Sequence, residues 1–169
     1  EIIISRADPS FLHKLFKNEV PEIEDGIIDI RTLFREPGDR TKIIVESHDK
    51  RIDAVGACVG MKGSRIQVIV RELNGEKIDI INYTSEPQLL VTRALSPAKP
   101  YRVTIDYENH RALALFEAED ISIAIGKNGQ NVRLASKVTG FEIDAKSRSE
   151  VEGPVVVEVY LEEVEGLPK

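Results

Sequence analysis

The chain has no tryptophan, one cysteine, one methionine and three histidines, and aromatic residues make up only 5% of its 169 positions. The single Cys58 excludes a disulfide framework and a cysteine-based zinc site, and fits a reducing, cytoplasmic setting. It sits in the apolar stretch 55–59, where a thiol reads as a small buried hydrophobe rather than a nucleophile. His13, His48 and His110 are scattered, with no H-x-x-x-H spacing to put two ligands on one helical face, so no metal or other cofactor is expected. Acid pairs such as Glu22/Glu24 and Glu162/Glu163 lie in polar segments, without the apolar surroundings that perturb catalytic carboxylates. These absences argue against an enzyme. The apolar runs 2–4, 112–116 and 155–157 fall far short of the roughly 20 residues that span a bilayer. No basic start precedes an apolar stretch, so neither a signal peptide nor a membrane partner is expected. The chain opens Glu-Ile-Ile-Ile rather than with Met, and reads as a piece of something longer.

What is present suffices for a packed core: 41% of residues are hydrophobic and 31% charged. At roughly 100–200 residues per domain, the length fits one domain or two small ones sharing a wall. The net charge of −6 argues at first against an anionic partner, but its uneven distribution makes the mean a poor guide: local basic segments either steer an anionic ligand or simply keep a helix face soluble. Residues 150–169 carry six acids against Lys169 alone, leaving 22 bases against 23 acids over 1–149. Two segments contain no acid at all: 55–71, with Lys62, Arg65 and Arg71, and 121–141, with Lys127, Arg133 and Lys137. The acidic tail could lie near these basic segments and compete with an anionic ligand, or its stretch 155–161 could form a strand packed on the core.

The two acid-free segments belong to an internal repeat at an offset of 66. Gly60 and Gly63 align with Gly126 and Gly129, Val55 with Ile121, Val59 with Ile125, and Ile66 with Val132. One residue later drops out, after which Gly75, Ile78 and Asp79 meet Gly140, Ile143 and Asp144. In the first copy, Asp8-Pro9 predicts an N-cap and first turn, Phe11, Leu12, Leu15 and Phe16 an apolar stripe, and Pro21 its end. Strands are expected around 28–33, 42–47 and 77–82, a short helix behind Asp53, and a second from Ser64 closed by Asn74-Gly75. In the second copy, Ser85 predicts a cap, with Leu89, Leu90, Ala94 and Leu95 as the apolar face, ended by Ser96-Pro97. A hairpin is expected over 101–106 and 111–116, two helices flank the second glycine pair, and 142–146 closes the unit. The order helix-strand-strand-helix-helix-strand thus occurs twice, giving an α+β fold of two three-stranded sheets, each with helices on one face. The boundaries are 1–83 and 84–149, with 150–169 as an acidic extension. Only Thr84 and Ser85 join the copies, too little chain for a flexible tether.

A lone G-x-x-G carries little information, since 11 glycines in 169 residues supply roughly 0.7 such pairs by chance. Two in register, each between short amphipathic helices and beside a base, carry much more. Glycine permits the tight turn and the close approach of another backbone. The following helix presents unpaired N–H groups and its positive dipole end, which suits a phosphate. The spacing around Gly60-Met61-Lys62-Gly63-Ser64 does not fit a nucleotide P-loop. The candidate contacts are Gly60, Met61, Lys62, Gly63, Ser64 and Arg65 in the first copy, and Gly126, Lys127, Asn128, Gly129, Gln130, Asn131 and Arg133 in the second. Val59, Ile66, Ile125 and Val132 either floor an adjoining apolar groove or pack in the core. The competing reading is a protein-docking module whose glycine corners are structural only.

A G-x-x-G loop between two helices beside a three-stranded sheet resembles a KH domain, and the element order resembles its type II form. The resemblance extends further. The stretches 16–22, 50–65, 75–79 and 94–98, and above all Ala124-Ile-Gly-Lys-Asn-Gly-Gln-Asn-Val-Arg-Leu-Ala135, are similar to the tandem KH region of the NusA family of bacterial transcription factors, over about residues 4–146. Ala54 departs from that pattern, standing where the family usually has proline. The resemblance implies that each loop clamps the backbone of about four single-stranded nucleotides. It implies nascent RNA and, through the parent protein, RNA polymerase as partners of a monomeric regulator of pausing, termination and antitermination.

Overall fold

The structure, a computed structural model, describes residues 4–152. Helix α1 (Pro9–Glu19) begins where Asp8 accepts a hydrogen bond from the Ser10 amide at 2.8 Å, and buries Leu12 and Phe16. Pro21, expected only to end α1, also opens a one-turn helix α2 (Pro21–Glu24), because a fixed φ and a missing N–H both suit a first helical position. Strands β1 (Ile28–Glu36) and β2 (Arg40–Ser47) form an antiparallel hairpin around 37–39. Helices α3 (Ala54–Val59) and α4 (Ser64–Glu72) follow, and β3 (Lys77–Asn82) runs parallel to β2, giving sheet order β1-β2-β3.

The second copy repeats this plan with α5 (Pro87–Ala94), β4 (Arg102–Asp106), β5 (Arg111–Phe116), α6 (Ile121–Ile125), α7 (Gln130–Thr139) and β6 (Glu142–Ser147). Its sheet order is β4-β5-β6, again antiparallel then parallel, and the short α8 (Arg148–Glu152) leaves the end of β6. Two details differ from expectation. Pro87 occupies the first helical position, so Glu86 rather than Ser85 is the N-cap, and Val91 with Ala94 and Leu95 is fully buried where Leu89 and Leu90 are only partly so. Most of the acidic extension, including the expected strand at 155–161, lies outside the described residues.

The helices α1, α3 and α4 cover one face of the first sheet, burying Leu12, Phe16, Ile28, Ile43, Val45, Cys58 and Ile69. Successive strand residues point to opposite faces, so Ile44 and Ile81 point the other way, into the second core with Val91, Leu95, Ala114 and Phe116. The first sheet is therefore covered on both faces, by its own helices and by the second copy's. The joint between copies is a shared core rather than a tether. Lys42 is wholly buried there, its Nζ donating to Asp79 Oδ2 at 3.0 Å and to the Ser96 carbonyl at 2.9 Å, while Arg40 Nε reaches the same Asp79 oxygen at 2.7 Å. Burial pushes the Lys42 amine down to about 8, against the opposing pull of Asp79.

Candidate nucleic-acid interface

Between α3 and α4, and again between α6 and α7, the backbone makes the same corner twice. Gly60 has φ 77° and ψ 169°, Gly126 φ 77° and ψ 175°. Two residues on, Lys62 (φ 54°, ψ 29°) matches Asn128 (φ 56°, ψ 28°), and Gly63 (φ 76°, ψ 16°) matches Gly129 (φ 72°, ψ 13°). The amide of the second glycine donates to the carbonyl of the first in each copy, at 3.1 Å and 3.2 Å. Gly63 and Gly129 are the N-caps of α4 and α7, and neither helix has a side-chain cap on its first-turn N–H groups.

The two glycines of each corner are needed for different reasons. A Cβ on Gly60 would lie 2.9 Å from the Arg65 backbone nitrogen, and one on Gly126 2.9 Å from that of Asn131. No side chain fits between the corner and the following helix. At Gly63 and Gly129 the space is open, with nothing nearer than 3.5 Å and 3.9 Å, and the constraint is the left-handed φ alone. A carboxylate probe of ligand binding therefore belongs at the loop tips, not at Gly60 or Gly126, where it would distort the corner it is meant to test.

Met61 and Lys62 stand free at one tip and Lys127 and Asn128 at the other, Met61 with 84% of its surface exposed. The lysine occupies the third position of the first loop and the second position of the other. Ser64 is exposed and Gln130 half-buried at the start of their helices. The apolar residues beside the corners divide: Ile66 and Val132 pack against the two cores, Val59 is half-buried, and Ile125 is 41% exposed, next to Ile123 on the α6 surface.

Three of the expected contacts already have protein partners. Asn131 is wholly buried, its Nδ2 donating to the Leu95 carbonyl at 3.0 Å and the Ala124 carbonyl at 2.9 Å, so its side chain faces the core and not a ligand. Arg65, at the repeat-equivalent position, likewise folds back, with Nη1 donating to the Ala57 carbonyl at 2.7 Å and to Glu22 of α2 at 2.9 Å. Both residues do one structural job: they pin each corner to the helix before it. Arg133 stays on the surface but is engaged, Nε donating to Glu36 at 2.6 Å and Nη1 to the Asn128 carbonyl at 2.9 Å. Glu36 ends β1 of the other copy. Burial pushes its carboxyl up, but the neighbouring Gln130 side chain and the Arg133 guanidinium, with Lys137 nearby, outweigh this and hold it below the usual range.

Glu36, Pro37 and Asp39 of the first hairpin face Lys127, Asn128, Gln130 and Arg133 across a cleft of about 370 Å³. A larger cleft of about 560 Å³, on the outer face of the second sheet between Thr104, Asp106, Arg111 and Lys146, includes no corner residue. Among the described residues no cluster of three or more His, Cys, Asp or Glu side chains could hold a metal ion. Nor is any helix there long and apolar enough to cross a membrane. Cys58, closest to the chemistry of a nucleophile, is buried, and its thiol is pushed up to about 12 by burial, with Glu22 adding to the effect.

Comparison with known families decides what the twin corners belong to. Residues 6–83 match the model of the NusA-like first KH domain, and residues 87–153 that of the NusA-like second KH domain. The chain belongs to the NusA family. It is 49% identical over 152 residues to the transcription termination/antitermination protein NusA of Halalkalibacterium halodurans, and 48% identical over 150 residues to that of Bacillus subtilis. These alignments cover 90% and 89% of the chain but 40% of each relative, so the NusA-family region described here spans well under half of those proteins. The NusA of Thermus thermophilus is 46% identical over 142 residues, 84% of the chain and 37% of that protein. The crystal structure of APE1850 shares the fold alone, with a TM-score of 0.57 at 20% identity over 82% of this chain and 96% of that one. The tandem KH assignment rests on the two family models.

Proposed function

We propose that this pair of KH domains, with working limits 1–83 and 84–149, binds single-stranded RNA through loops 60–63 and 126–129. In the parent protein it serves a NusA-type factor that rides with RNA polymerase in the cytoplasm and modulates pausing, termination and antitermination. The observation that carries the reading is the duplication itself: two corners of matching backbone geometry, each with a lysine at an exposed tip and a helix N-terminus without a side-chain cap. Phosphate oxygens of an extended strand suit such corners, and Ile123 and Ile125 offer an aliphatic surface to bases beside the second. The chain acts by binding, as a monomer and without catalysis, its RNA and polymerase partners doing the rest. Neutralisation of phosphates releases counterions, so log K should fall with log salt concentration by roughly 0.7 for each phosphate contacted. Titration of a fluorescent single-stranded oligonucleotide at several salt concentrations tests this. A flat response favours a protein-docking role instead.

A further inference from the structure

The geometry points to Glu36, a residue of the first domain, as the positioning residue of the second domain's RNA loop. The inference rests on the RNA-binding reading above and extends it to how one domain controls the other's grip.

The second corner has a brace that the first lacks. Arg133 lies four residues beyond Gly129, and its Nη1 donates to the Asn128 carbonyl at 2.9 Å, holding the peptide at the left-handed centre of the loop. The same guanidinium is held from its other side by Glu36, through Nε at 2.6 Å. A charge-assisted pair with planar guanidinium geometry fixes orientation as well as distance. Glu36 is itself set by the end of β1, whose strand pairs with β2 in the shared joint. A chain of contacts therefore runs from the first sheet through Glu36 and Arg133 to the tip of the second loop. In the first copy the residue four beyond Gly63 is Gln67, and its amide lies 3.5 Å from where a Gly63 Cβ would stand. Gln67 carries no charge for a carboxylate of the other domain to fix. The first corner is pinned within its own domain, by Arg65 to Glu22.

The consequence is an asymmetry. The shape of loop 126–129 depends on the domains remaining docked, and that of loop 60–63 does not. Glu36 is not an RNA ligand, since a carboxylate repels phosphate; it acts through Arg133.

The test uses the full chain with Glu36→Ala and the conservative Glu36→Gln, which keeps an acceptor oxygen for Arg133. Amide hydrogen exchange followed by NMR gives a readout independent of RNA. Exchange at Asn128, Gly129 and Gln130 should quicken in Glu36→Ala, stay near parental in Glu36→Gln, and remain unchanged at 61–64 in both. Binding of a short single-stranded RNA should weaken about threefold to tenfold in Glu36→Ala and recover in Glu36→Gln. Tighter binding by Glu36→Ala would overturn the assignment, because the carboxylate would then be competing with phosphate for Arg133. Unchanged exchange at 128–130 would overturn it as well. If exchange quickens as expected while neither Glu36→Ala nor Lys127→Asp alters RNA binding, the brace stands and the RNA reading of that loop fails.

Discussion

Single residues in this fold separate cleanly into those that make the corners and those available to a ligand. Gly126 is needed because the Asn131 backbone nitrogen leaves no room for a Cβ, whereas Gly129 meets only the cost of its φ. Gly126→Ala should therefore cost about 1–3 kcal/mol, and Gly129→Asn within about 1 kcal/mol, since Asn tolerates the left-handed region. Urea unfolding of the two variants checks the ranking, and equal losses would contradict it. Cys58 permits a second prediction. With its thiol buried and pushed up to about 12, it should resist a water-soluble thiol reagent at pH 8 in the native protein and react on unfolding. The glycine pairs were legible in the sequence, because repetition at a fixed offset separates a corner from chance, and each pair encloses a lysine, though not at the same position. The roles of Arg65 and Asn131 were not. Position in the first turn after a loop says nothing of whether a side chain points outward or back, and here the carboxylate of Glu22 in α2 and carbonyls of α3, α6 and the end of α5 draw them in.

Among the elements, the β1–β2 hairpin is fastened to the start of β3 by a carboxylate that no local pattern marks. Glu76 is wholly buried and accepts from Arg35 Nε at 2.9 Å, Thr41 Oγ1 at 2.7 Å and the Gly38 amide at 2.8 Å. Burial raises its pKa, but these donors and the Arg35 charge outweigh that and hold it below the ordinary 4.5. A group whose folded pKa is depressed contributes fully above its unfolded value and loses that contribution as pH falls through the folded one. Acid unfolding should thus steepen below pH 4.5 in the parent and less so in Glu76→Gln. Glu76→Ala, leaving the buried Arg35 charge without its carboxylate, should cost about 3–5 kcal/mol at neutral pH. A Glu76→Ala variant as stable as the parent would refute the fastening role. The strands themselves were visible as alternating or apolar runs, yet β2, which carries Arg40 and Lys42, gave no hint of burial on both faces. That burial comes from the second domain, and Asp79 lies 37 residues from Lys42.

At the scale of the whole molecule, the two KH domains share a core, with Ile44 and Ile81 of the first sheet packed among α5 and second-sheet residues. The two-residue joint already implied rigidity, but not which surfaces meet, and the Glu36–Arg133 pair spans 97 positions with no sequence signal. A shared core predicts one cooperative thermal transition, with calorimetric and van't Hoff enthalpies equal. Two resolved transitions would show that the domains are independent. On the proposed reading, rigid docking would also set the energetics of RNA binding, since a strand held at two fixed points gains effective concentration that neither point supplies alone. The most direct test is single-stranded RNA binding, by fluorescence anisotropy, to the parent, Lys62→Asp, Lys127→Asp and the double variant, each with a native circular dichroism spectrum. Each single variant should bind about tenfold or more weakly, because losing one point also forfeits the linkage, and the double variant should show no binding above background. Parental affinity in the folded double variant would contradict the account.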